Sequence, residues 1–74
     1  MHNIQEKVHE LLDLCIEKGL RFEFDCKNKY AYVFIKKNPE KEGFDFYEYA
    51  YFEDDINKLY QLIEKVKKYK PKNI

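Results

Sequence analysis

The chain has 74 residues, and its 14 basic and 14 acidic side chains give a formal net charge of zero at pH 7. A chain of this length forms one small domain, here residues 1–74, with one layer of helices on one layer of sheet. The zero balance argues against a dedicated DNA mimic and against a strong nonspecific nucleic-acid binder. Aromatic residues make up 18% of the chain and charged residues 38%, which indicates a small aromatic core inside a solvated surface.

The first predicted element is an amphipathic helix from Asn3 to Lys18. Its apolar residues recur at intervals of three and four and therefore form one stripe, made of Ile4, Val8, Leu11, Leu12, Cys15 and Ile16. Leu14 lies off this stripe. Asn3 is the expected N-cap, Glu6 completes a pair that resembles a capping box, and Gly19 stands where a left-handed residue commonly ends a helix.

A β-hairpin is predicted next. Its first strand, from Leu20 to Cys26, alternates between an apolar inward set and a charged outward set: Leu20, Phe22, Phe24 and Cys26 against Arg21, Glu23 and Asp25. A tight turn at 27–29 follows, with Asn28 as the expected residue of positive φ.

The second strand, from Tyr30 to Lys37, allows two assignments, because a shift of one residue exchanges its faces. We favour Ala31, Val33 and Ile35 inward, since two helices must also fit over this sheet. The reverse assignment would bury three rings: Tyr30, Tyr32 and Phe34.

A charged loop at 38–43 leads to the third predicted strand, from Phe44 to Phe52. Alternation places Phe44, Phe46, Glu48, Ala50 and Phe52 toward the core, and Asp45, Tyr47, Tyr49 and Tyr51 on the opposite face.

A second amphipathic helix follows the third strand. Asp54 is its expected N-cap and Asp55 its first-turn acid. Its lysine-rich last turn precedes Pro71, which is expected to stop the helix and leave residues 70–74 as a frayed tail. Its apolar stripe consists of Ile56, Leu59, Tyr60, Ile63 and Val66.

These elements predict an α+β fold of order α-β-β-β-α, with a three-stranded antiparallel meander and both helices on one face. The opposite face then has no cover from the chain, although it carries a cluster of aromatic rings. Such patches often mark interaction sites, and tyrosine is enriched at interface cores. The candidate partner-binding residues are Tyr30, Tyr32, Phe34, Asp45, Tyr47, Tyr49, Tyr51, Glu53 and Asp54. Alternatively, the rings serve only to stabilise the sheet through cross-strand pairs.

Residue types and spacing argue against catalysis. The chain has no Ser or Thr, and neither of its two glycines lies in a phosphate-binding loop. The spacing of His2, His9, Cys15 and Cys26 matches no zinc motif, so we expect no enzyme activity, no metal and no cofactor. The polar N-terminus and the lack of an apolar run of about 20 residues predict a cytoplasmic protein without a membrane partner.

The sequence therefore predicts a non-enzymatic protein-binding module that binds either a host factor or a second copy of itself. Single-stranded nucleic-acid binding through stacked rings is an alternative, as is a purely structural homodimer. In element order and composition, the segment from Asn3 to Tyr69 resembles small phage-encoded inhibitors, including certain anti-CRISPR proteins. This resemblance rests on the acidic, Tyr-rich third strand within an α-β-β-β-α order. It implies a phage or mobile-element protein that inhibits a host factor, and it assigns no residue.

Overall fold

The computed structural model describes residues 4–36, 40 and 42–70. Its elements in chain order are α1 (Ile4–Lys18), β1 (Arg21–Asp25), β2 (Tyr30–Ile35), β3 (Phe46–Tyr51) and α2 (Asn57–Lys68). The three strands form one antiparallel sheet in the order β1-β2-β3, which confirms the predicted α+β fold. The expected N-cap Asn3 and the expected stop at Pro71 lie outside the described residues.

The strand register aligns side chains in rows across the sheet, because residues directly opposite each other point to the same face. The face that the helices leave uncovered, here called the outer face, carries the rows Arg21–Phe34–Tyr47, Glu23–Tyr32–Tyr49 and Asp25–Tyr30–Tyr51. The inner face carries the rows Phe22–Val33–Glu48 and Phe24–Ala31–Ala50.

Both helices pack on the inner face and form a single core with it. Ala31 and Val33 are fully buried, which confirms the inward assignment of β2. These small side chains leave room for the larger residues that the helices contribute. The buried core consists of Leu11, Cys15, Leu20, Ala31, Val33, Ala50, Phe52, Leu59, Leu62, Ile63 and Val66.

The orientation of α1 differs from the predicted stripe. Leu12 is 42% exposed and Ile16 is 69% exposed, whereas Leu14 packs against the core. The cause is that α1 contacts both the sheet and α2, so its buried arc turns toward Leu14, on the side where Glu10 pairs with Lys67 of α2. The stripe of α2 also differs, since it includes the buried Leu62, which the prediction left out.

Lys18 links the two helices at one end of the domain. Its Nζ donates hydrogen bonds to the carbonyl oxygens of Val66 at 2.8 Å, Lys67 at 2.8 Å and Tyr69 at 2.6 Å. The last carbonyl oxygens of a helix have no N–H donor from a following helical turn, and the negative end of the helix dipole favours a nearby positive charge. Lys18 therefore caps α2 from the adjacent helix.

The end of α1 agrees with the prediction, and the start of α2 does not. Gly19 has φ +72°, and the N–H of Leu20 bonds to the Cys15 carbonyl at 2.8 Å. The prediction of Asp54 as the N-cap is wrong, because α2 begins at Asn57. Its N-cap residue is Ile56, which makes no side-chain capping hydrogen bond. Instead, Asp55 Oδ1 accepts the N–H of Asn57 at 3.0 Å and orders the approach to the helix.

The β1–β2 turn holds two further corrections. The positive φ occurs at Lys29 (+53°) and not at Asn28, because the Asp25 carboxylate fixes Asn28 by accepting its backbone N–H at 3.1 Å and its side-chain amide at 2.8 Å. Cys26, predicted to point inward, is exposed. The alternation of β1 ends at Asp25, where the turn begins, so Cys26 no longer follows it.

Candidate functional site

The outer face carries seven rings in mutual contact, here called the ring cluster. Their neighbouring centroids lie 4.3 to 6.4 Å apart, the range in which aromatic pairs attract one another. The shortest separation, 4.3 Å, joins the stacked rings of Tyr30 and Tyr51. The cluster consists of Tyr30, Tyr32, Phe34, Phe44, Tyr47, Tyr49 and Tyr51.

Position in the sheet determines how far each ring is exposed. The β2 rings are half-buried, because β2 is the central strand and has neighbours on both sides. The β3 rings are more open, with 41% of Tyr47, 55% of Tyr49 and 56% of Tyr51 exposed. The solvent-exposed aromatic surface is therefore mainly tyrosine from the β3 edge.

Phe44 is a member of the cluster that the sequence prediction placed on the core face. It is 52% exposed, and its ring lies 5.5 Å from Phe34 and 5.2 Å from Tyr47. The prediction failed because β3 begins only at Phe46, so strand alternation does not apply to Phe44. Gly43, with φ +84°, immediately precedes it and was the available signal of a break.

Charged side chains flank the ring cluster, with cations at one end of the outer face and carboxylates along β1. At one end of the outer face, Arg21 Cζ lies 5.6 Å from the Phe34 ring centroid, and Lys36 Nζ lies 5.9 Å from that of Phe44. Along β1, the next two outward residues are the exposed carboxylates Glu23 and Asp25. The Glu23 carboxylate has no hydrogen bond or ion pair with any other residue that the structure describes.

The structure brings together the six predicted rings but separates the three predicted acids. Asp45 precedes β3, whereas Glu53 and Asp54 follow it, and all three are exposed. Glu53 lies eight positions after Asp45, which corresponds to about 26 Å of extended chain. The carboxylates therefore lie beyond opposite ends of β3.

Tyr30, in the ring cluster, stays uncharged well above neutral pH. The pKa of Tyr30 is raised to about 12, first by side-chain hydrogen bonding with Tyr47, then by partial burial and by the neighbouring tyrosines. A phenol with this pKa keeps its proton at pH 7. At Tyr30 the outer face is accordingly neutral and aromatic, and the charged side chains lie at the margins of the ring cluster.

Apart from the ring cluster, an open groove lies between the start of α1 and the end of β1. This open groove has a volume of about 500 Å³ and is lined by Ile4, Gln5, Val8, His9, Phe24, Cys26 and Lys29.

The two thiols of the chain differ, since burial raises the pKa of Cys15 to about 11 while Cys26 is exposed. Among residues 4–36, 40 and 42–70, no three His, Cys, Asp or Glu side chains come close enough to hold a metal ion.

Comparisons with known proteins add no functional information. No protein-family model matches the chain, and no curated protein or solved structure matches it. In the described part of the chain, neither helix is long and apolar enough to cross a membrane.

Proposed function

We propose that this chain is a non-enzymatic protein-binding module whose contact surface is the ring cluster on the outer face of the sheet. The observation that carries the proposal is the exposure of connected rings on a face that no other described element covers. Rings in this position would be buried by a partner of matching shape, and the surrounding charges would orient it.

The ring cluster combines two properties of protein interfaces. Tyrosine offers a large apolar area together with a hydroxyl that can bond across the contact. The lateral packing of the rings also fixes their positions before binding, which lowers the entropy lost when a partner docks. Sheet stabilisation alone accounts for contacts between neighbouring rings, but it does not require about half of Tyr49 and Tyr51 to stay open to solvent.

The lysines of α2 favour a protein over a nucleic acid as the partner. Stacking of bases on rings is effective when positive charge surrounds the rings. Here the lysine-rich helix lies on the inner side of the sheet, although its Lys58 and Lys65 approach the ring cluster at the β3 edge, where they line a groove with Tyr49 and Tyr51. Two of its lysines are also paired, Lys65 with Glu48 at 3.2 Å and Lys67 with Glu10 at 3.2 Å.

The proposal is tested by affinity capture from a lysate of the organism that carries the gene. Three forms are compared: wild type, the double variant Tyr47→Ala/Tyr49→Ala, and Tyr60→Ala as a tyrosine control on α2. We expect wild type and the control to retain the same protein, and the double variant to lose it. Direct titration of the purified partner should then show at least about a 30-fold weaker affinity for the double variant.

Two results would contradict this assignment. The first is equal capture by all three forms while circular dichroism shows that each is folded. The second is unfolding of the double variant with no partner detected for wild type, which would favour the purely structural role. Inhibition of a host factor, the role that the resemblance implies, stays a prediction until a captured protein can be assayed with and without this chain.

A further inference from the structure

We propose that the partner of the outer face is a second copy of this chain, bound face to face about a two-fold axis that runs along β2. This inference rests on the proposed function, because it names the occupant of the same surface. The observation behind it is the unequal chemistry of the two edge strands.

On the outer face, each strand presents one column of three side chains. The β1 column is charged (Arg21, Glu23, Asp25), the β2 column is aromatic, and the β3 column consists of tyrosines (Tyr47, Tyr49, Tyr51). A rotation of 180° about an axis parallel to β2, in the plane between two facing sheets, exchanges the outer columns and keeps the rows. Glu23 then lies opposite Tyr49 of the second copy.

The chemistry of each row suits this exchange. A phenol hydroxyl donates a hydrogen bond, and a carboxylate accepts one, so Glu23 and Asp25 meet the donors at Tyr49 and Tyr51 of the second copy. Arg21 meets the ring of Tyr47, a favourable cation–π contact. The β2 rings meet their own copies at the centre. Each pair between β1 and β3 forms twice, as the symmetry of an isologous dimer requires, and each pair on the axis forms once.

The state of Glu23 supports this arrangement. Its carboxylate makes no hydrogen bond or ion pair within the described part of one chain. Covering such a group is costly unless the covering surface supplies a donor. The tyrosine column supplies one. Asp25 already accepts bonds from the turn at Lys27 and Asn28, yet a carboxylate has further acceptor capacity.

The other simple two-fold arrangement leaves Glu23 without a donor. An axis perpendicular to the strands would place β1 over β1 of the second copy, with Arg21 opposite Asp25 twice and Glu23 opposite Glu23 once. Like charges directly opposite each other destabilise a contact. The axis along β2 is the arrangement of the two that gives the Glu23 carboxylate a donor.

The exposed ring area predicts a weak dimer. Four rings that are roughly half exposed offer on the order of 400 Å² if a whole ring offers about 200 Å². A standard interface buries about 800 Å² per partner, so the charged β1 column must contribute and the contact stays below standard size. We expect dissociation in the micromolar range.

A charge exchange tests the pairing of Glu23 with Tyr49. Tyr49→Glu places a carboxylate opposite Glu23 twice per dimer, and we expect at least about a 30-fold weaker association. Adding Glu23→Lys to this variant converts both contacts into ion pairs, and we expect at least about tenfold recovery. Positions 23 and 49 of one chain are two strands apart, about 10 Å, so a pair within one copy would have to reach across the Tyr32 ring, whereas the pair between copies is directly opposed.

The measurement is sedimentation from about 1 µM to about 1 mM, with circular dichroism to confirm that each variant is folded. A wild type that is monomeric throughout overturns the dimer. Capture of another protein that still depends on Tyr47 and Tyr49 would then leave the proposed function standing. A dimer that Tyr49→Glu weakens but Glu23→Lys does not restore overturns the axis along β2.

Discussion

The two faces of the central strand β2 are built from opposite kinds of side chain. On the inner face, Ala31 and Val33 are small and buried beneath the helices, as is Ala50 of β3. On the outer face, their chain neighbours are rings that touch one another sideways. Toward the β1 edge the inner face also carries rings, those of Phe22 and Phe24, which pack against the core. Side-chain size therefore follows the covering helices at the centre of the sheet and not at its β1 edge.

The two faces should also stabilise the fold by different amounts. Inner-face contacts remove apolar surface from water between two layers, an effect of about 25 cal/mol per Å². Outer-face rings stay partly hydrated and gain mainly from cross-strand pairs, roughly 0.2–1 kcal/mol each. Substitutions on the two sides of the sheet should therefore separate clearly in their free energies of unfolding.

The largest loss is expected from Leu59→Ala, in the helix layer that covers the inner face. Leu59 is completely buried, and the cavity left by truncating such a residue costs roughly 2–5 kcal/mol. Denaturant unfolding measures the loss, with the exposed neighbour Lys58→Ala as the matched control. Equal denaturant midpoints for the two variants would contradict the expected difference in stability between the two faces.

A smaller loss is expected from Lys18→Met, which keeps the stem of the side chain and removes its three bonds to the end of α2. The loss of charge-assisted bonds and of a favourable helix-end charge should cost about 1–2 kcal/mol. Lys68→Met is the control, because within the described residues the Lys68 ammonium group forms no hydrogen bond or ion pair. A loss no greater than that of the control would mean that the link between the helices contributes nothing.

Tyr51→Thr, on the outer face, should cost less than about 1 kcal/mol. The change removes the stacked contact with Tyr30 but keeps a residue that favours strands. The same unfolding assay applies. A loss as large as that of Leu59→Ala would show that the ring cluster is a second core, and the partner surface would then lose its main support.

The smallest expected effect is a pH dependence. The pKa of Tyr30 is about 12 in the folded protein against an ordinary value of 10, so folding favours the protonated phenol. This contribution is complete below about pH 10 and is lost as the pH rises toward 12. Unfolding midpoints between pH 8 and 12 should fall less steeply for Tyr30→Phe than for wild type. Parallel curves of midpoint against pH for the two proteins would show that the Tyr30 phenol does not cause the pH dependence.

Local patterns in the sequence predicted the elements, their order and the inward face of β2. Alternation and helical periodicity suffice for this, and the volume required by two helices correctly kept Ala31 and Val33 inward. The grouping of the six predicted rings on one face follows from the same alternation, once the hairpin register aligns Tyr32 with Tyr49.

The errors arose where non-local contacts or strand ends decide the outcome. Periodicity placed Leu12 and Ile16 in the core, but the packing of α1 against α2 turned the helix toward Leu14. Alternation was extended beyond the paired residues at Phe44 and Cys26, which lie outside β3 and β1. The dimer arrangement depends on the unpaired carboxylate of Glu23. Its unpaired state could not be predicted from the sequence, because it depends on every side chain that surrounds Glu23 in the folded chain.

Because one thiol is exposed and the other buried, thiol labelling can report how often the domain opens. Cys26 is exposed, so an alkylating reagent should modify it in the folded protein, whereas Cys15 is buried and has a pKa of about 11. Only the thiolate reacts, and Cys15 becomes accessible only when the helices separate from the sheet. The slow second labelling step then reports how often the domain opens, and the fast first step provides an internal reference for reagent activity.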